Sequence, residues 1–100
     1  MRRGTTQPVE FSIPYKASEV EEGYVTFTQG GLIILDKSVN DDDVTLEDGV
    51  IRFQLSQEDT LALPTGEIAM QIRLLLNNGE AAASYAMETY VDDVLKDGVI

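Results

Sequence analysis

Three dipeptides punctuate the chain: Gly30-Gly31, Asp48-Gly49 and Asn78-Gly79. Each lies between two short runs rich in Val, Ile, Leu, Phe, Tyr and Thr. Tight hairpin turns need positive φ angles, which Gly, and Asn or Asp followed by Gly, adopt at least cost. A chain of 100 residues with three such turns is confined to a small antiparallel β-fold, one domain over residues 1–100.

The runs between the turns alternate as strands do. Val9, Phe11 and Ile13 stand against Glu10 and Ser12, and Pro14 closes that strand. Residues 15–23, with Glu19, Glu21 and Glu22, read as a polar connection. Tyr24 to Gln29 is the second strand and Leu32 to Lys37 the third. Val44 and Leu46 open a short fourth, and Ile51, Phe53 and Leu55 mark the fifth. Ser56 is placed to cap a helical turn that carries Glu58 and Asp59 and ends by Pro64 and Gly66. Such a crossover moves the chain from one sheet to another.

Glu67 to Leu76 is the longest strand, with Ile68, Met70, Ile72, Leu74 and Leu76 on one face and Ala69, Gln71, Arg73 and Leu75 on the other. Five inward side chains, each worth about 1.5–3 kcal/mol when buried, predict a central position. Ala81 to Val91 reads as the last strand, and Asp92 to Lys96 as a second helical turn capped at Gly98. The expectation is a seven-stranded antiparallel immunoglobulin-like β-sandwich, with one helical turn between strands five and six and another near the C-terminus.

Composition narrows the chemistry. Eighteen acidic and seven basic residues give a net charge of −11. That charge repels nucleic-acid phosphates and anionic lipid, so neither a nucleic acid nor a membrane is expected as partner. There is no cysteine and no histidine. Disulfides, thiolate nucleophiles and the commonest general base and metal ligand are therefore absent. No Gly-x-Ser-x-Gly and no phosphate-binding loop occurs. Catalytic residues and a cofactor are not expected.

Asp41, Asp42 and Asp43 invite a calcium reading, but the loop lacks the glycine and the closing glutamate of an EF-hand. Solvated charge beside a strand is the plainer account, and no metal site is assigned. No apolar stretch approaches the roughly 20 residues of a membrane span, and no apolar run follows Arg2 and Arg3 as in a signal peptide.

Candidate interface residues are of three kinds. Leu32, Ile33, Ile34 and Leu35 break the alternation. Such a run is either covered on both faces inside the sandwich or exposed at a sheet edge as a subunit contact. Leu75 and the Ala81 to Ala83 patch lie off the main inward face and support the contact reading. Arg2 and Arg3 form a basic tip that is either frayed or an arm docking on an acidic neighbour. Val99 and Ile100 are apolar residues placed to insert into a neighbour.

The residues also carry a resemblance. The opening Met1 to Pro8 resembles the start of small proteins encoded among phage and prophage structural genes. The stretch Phe53 to Leu61 is similar to their strand followed by a Thr/Ser-Gln-Glu-x-Thr turn, and Val94 to Ile100 to their Leu-Lys-Asp/Glu-Gly-Val-Ile tail. The layout also resembles the Ig-like N-terminal domain of phage baseplate upper proteins, without their receptor-binding extension.

The resemblance implies a non-enzymatic tail or baseplate accessory, made in the bacterial cytoplasm and carried in the virion. Its expected partners are copies of itself or other phage tail proteins. The alternative is a carbohydrate- or cell-surface-binding module, which requires Tyr15, Tyr24, Tyr85 and Tyr90 to cluster on one exposed face. A small enzyme with a pocket of perturbed carboxylates is the third reading.

Overall fold

The computed structural model describes residues 1–84 and 87–100. Two antiparallel sheets pack face to face. The smaller has the order β1-β5-β4, from β1 (Gln7–Ser12), β4 (Val44–Glu47) and β5 (Val50–Leu55). The larger contains β2 (Val20–Gln29), β3 (Leu32–Ser38), β6 (Gly66–Leu76), β7 (Ala81–Ala83) and β8 (Met87–Val91). Its order is β3-β2-β6-β7, and β8 pairs with β6 beside the other half of that strand. The result is a slab of 47 × 26 × 16 Å, its thickness set by two sheets about 10 Å apart.

The anticipated hairpins form, with Gly30, Gly31, Gly49 and Gly79 all at positive φ. The crossover after β5 is α1 (Gln57–Ala62), and it moves the chain from the smaller sheet to the larger. Ser56 caps it as its position predicts: its hydroxyl accepts from the Asp59 amide at 3.1 Å, while the Asp59 carboxylate accepts from the Ser56 amide at 3.1 Å. β6 is central, between β2 and the β7–β8 pair.

The core lies between the sheets. Val25, Phe27, Ile68, Ile72, Leu74 and Leu76 descend from the larger one, and Phe11, Ile51, Phe53 and Leu55 rise from the smaller. Phe27 meets Phe53 edge to face across the gap, with ring centroids 6.4 Å apart. Thr60 on α1 is the one fully buried polar side chain among the described residues, and its hydroxyl donates to the Thr5 carbonyl at 2.8 Å.

Four expectations are corrected. Among the described residues there are eight strands, not seven. Residues 15–23 are not all connection. Ala17–Glu19 is a single 3-10 turn, and β2 already begins at Val20. Its early half was masked by acids, yet Val20 packs on the core and Gly23 is buried against Leu74. The final strand is β7 and β8, which sit one residue out of step on β6. Tyr85 and Ala86 fall outside the described residues. No helical turn forms at Asp92 to Lys96: Asp92 instead bridges Arg2 through backbone bonds to Met1 and Arg3, and the chain bends at Leu95 and Lys96.

The strand order also places β2 and β3 side by side in one sheet, where an immunoglobulin constant domain sets its second and third strands in opposite sheets.

Candidate functional site

The Leu32 to Leu35 run owes its lack of alternation to a β-bulge. β3 is an edge strand of the larger sheet. Its register against β2 passes from Phe27 opposite Leu35 to Thr28 opposite Ile33, which leaves Ile34 as the inserted residue. The extra residue lets Ile34 and Leu35 both pack against the core. Ile33 falls on the outer face with 68% of its surface exposed, and Leu32, nearest the turn, is 73% exposed. The run is therefore not covered on both faces.

Alternation assigns the outer face of the larger sheet. Val25 and Phe27 are buried, so Tyr24, Thr26 and Thr28 point away from the core. Ile68, Ile72 and Leu74 are buried, so Glu67, Ala69, Gln71, Arg73 and Leu75 point outward. Pairing aligns these residues across the strands. Ile33, Thr28, Ala69 and Glu88 form one continuous row, and Glu67 lies beside Tyr90 in the row below. Leu75 faces the exposed Ala81, and Arg73 faces the exposed Ala83. The middle of this face is Thr26, Thr28, Ala69 and Gln71, which carry no charge.

The outer face of the smaller sheet is different. Arg52 lies at its centre, 3.3 Å from Glu10 and 3.3 Å from Glu47. These are exposed charges, two carboxylates sharing one guanidinium, and water is their natural neighbour.

The other named residues are placed as follows. Arg2 and Arg3 do not reach outward. Arg2 donates to the Asp93 carbonyl at 2.8 Å. Arg3 binds the Asp93 carboxylate at 2.9 Å, that of Asp97 at 3.2 Å and the Leu61 carbonyl at 3.0 Å. Backbone bonds from Arg3 to Asp92 and from Asp92 to Met1 complete the clasp. The Asp93 carboxyl is held below its ordinary value by the Val94 amide first and by Arg3 second. Val99 and Ile100 are exposed, but Ile100 is tied to α1, its amide donating to the Gln57 side chain at 2.8 Å and its carbonyl accepting from it at 3.1 Å.

The three aspartates are divided. The Asp41 carboxylate accepts from the Ser38 amide, and Asp43 pairs with Lys37 at 2.8 Å. Among the described residues no group of three acidic side chains converges to hold a metal ion. Lys37 points to the core side of β3 and reaches Asp59 on α1 at 3.4 Å as well. Among the described residues the tyrosines do not assemble a platform. Tyr15 packs against the core, Tyr24 and Tyr90 sit toward opposite ends of β6, and Tyr85 is outside the described residues.

Inward and outward positions along β6 are legible from alternation. Thr28 and Glu88 were not singled out, and Tyr90 only as one of four tyrosines of a platform, because their neighbours across the sheet depend on register between segments far apart in sequence. No helix among the described residues is long and apolar enough to cross a membrane. Comparisons with protein-family models, with curated proteins and with solved structures each return no match.

Proposed function

We propose that the protein is a non-enzymatic structural component of a phage or prophage particle, a tail or baseplate accessory that acts by protein–protein contact. The supporting observation is the contrast between its two outer faces. The middle of one is an uncharged floor with Ile33 and Tyr90 at its margins and carboxylates around it, and the centre of the other is Arg52 paired with Glu10 and Glu47. Sheet faces that expose large apolar groups beside a neutral floor suit burial against another protein.

The phage assignment rests on the motifs at Met1 to Pro8, Phe53 to Leu61 and Val94 to Ile100. The kinship with Ig-like domains belongs to the same proposal and concerns the two-sheet layout, not the strand order. In this reading Leu32, Ile33 and Leu75 contribute to contact, while Arg2 and Arg3 hold the chain's own C-terminal segment. Partners are other tail proteins or further copies, and the site of action is the virion. The glycan-binding alternative gains nothing from the separated Tyr24 and Tyr90.

The test is mass spectrometry of particles purified after induction of a strain that carries the gene. The protein is expected at a fixed ratio to known tail subunits. Its consistent absence from intact particles contradicts the proposal.

A further inference from the structure

The lower end of the larger sheet's outer face combines apolar exposure with unpaired negative charge. Ile33 and Tyr90, 68% and 56% exposed, stand at its two margins. Between them is a shallow depression lined by Thr28, Gln29, Gly30, Glu67, Ala69 and Glu88. Among the described residues neither Glu67 nor Glu88 takes part in an ion pair. The strand residues of the whole face carry four carboxylates, Glu22, Asp36, Glu67 and Glu88, against the single guanidinium of Arg73.

We propose that this corner docks a cationic segment of a different protein, its Lys or Arg heads on Glu67 and Glu88 and its aliphatic parts on Ile33 and the Thr28–Ala69 floor. The inference rests on the reading of the chain as an interaction module and names the chemistry of the partner. Charge decides against a second copy. The chain carries −11, and of its seven basic residues Arg2, Arg3, Lys37 and Arg52 are bound within it, which leaves Lys16, Arg73 and Lys96 against eighteen acids. Face-to-face self-association brings four carboxylates against four with one guanidinium on each side, and like charges in close contact oppose binding. A partner with Lys or Arg reverses that sign. The exposed ring of Tyr90, beside Glu67 in the pairing register, adds a surface on which a cation can rest.

The probe is the capped peptide Lys-Ile-Lys-Ile-Lys, with Glu-Ile-Glu-Ile-Glu as its control, titrated into the labelled protein and followed by amide NMR shifts. The expected result is a response centred on Thr28, Glu67, Ala69 and Glu88, weakened by salt and absent with the control. Glu67→Gln combined with Glu88→Gln, both exposed and outside the core, weakens binding about fivefold.

Three outcomes overturn the proposal. One is no binding, and another is a response spread over the acidic surface and indifferent to the double substitution. The third is a concentration-dependent dimer in sedimentation whose contact is this face, which makes a second copy the occupant. None of these bears on particle composition, so the proposal and the functional reading beneath it fail separately.

Discussion

Gly23 shows how one residue sets the spacing of the larger sheet. A Cβ there would lie 2.5 Å from Leu74 Cδ2 and 2.9 Å from the Arg73 carbonyl oxygen. Leu74 can shift, but the backbone oxygen cannot move without disturbing the β2–β6 ladder. Gly23→Ala is expected to lower stability by about 1–3 kcal/mol, measured by urea denaturation. Wild-type stability contradicts this account of the site. Nothing in the local sequence marked Gly23, since its partner is far along the chain. The hairpin glycines were legible because their requirement, a positive φ, is local.

Lys37 and Asp43 carry a pH dependence. The bond from Lys37 holds the Asp43 carboxyl below 3.8, and the same bond holds Lys37 above 10.5. A lowered carboxyl pKa gives stability that is complete above the ordinary value and is lost as pH falls through the folded one. A raised ammonium pKa gives stability that is complete below 10.5 and is lost as pH rises through its folded value. Asp43→Asn is expected to flatten the acid limb of the stability profile below about pH 4. Urea midpoints taken across pH check this, and an unchanged limb contradicts it.

Among the elements, β3 bears most directly on the proposed contact with other proteins. As an edge strand it carries two protections against unwanted pairing, the bulge at Ile34 and the inward ammonium of Lys37. Lys37→Ile removes the second. The variant is expected to fold with a loss of about 1 kcal/mol and to self-associate through β3, seen as increased light scattering. A monodisperse variant contradicts the role given to Lys37. The apolar run was legible as an anomaly, but its cause was not, because a bulge depends on the partner strand's register. The same reason hides the split into β7 and β8. The C-terminal strap is the extreme case: where the local sequence predicts a helical turn at Asp92 to Lys96, Arg2 and Arg3 bind Asp93 from the other end of the chain.

For the molecule as a whole, alternation and turn chemistry were enough to read two antiparallel sheets with a crossover between them. The assignment of outer faces follows from the same period. The contrast between those faces required the register, and with it came Glu67, Glu88 and Tyr90. The account's central claim is that the larger sheet's outer face carries the contact with the particle. It is tested by the amount of protein recovered in purified particles when the sole gene copy carries Ala69→Arg, in the floor of that face, or Thr45→Arg, on the smaller sheet's outer face. With both variants folded, Thr45→Arg is predicted to be incorporated as wild type and Ala69→Arg to be missing. Normal incorporation of Ala69→Arg, or selective loss of Thr45→Arg, contradicts the claim.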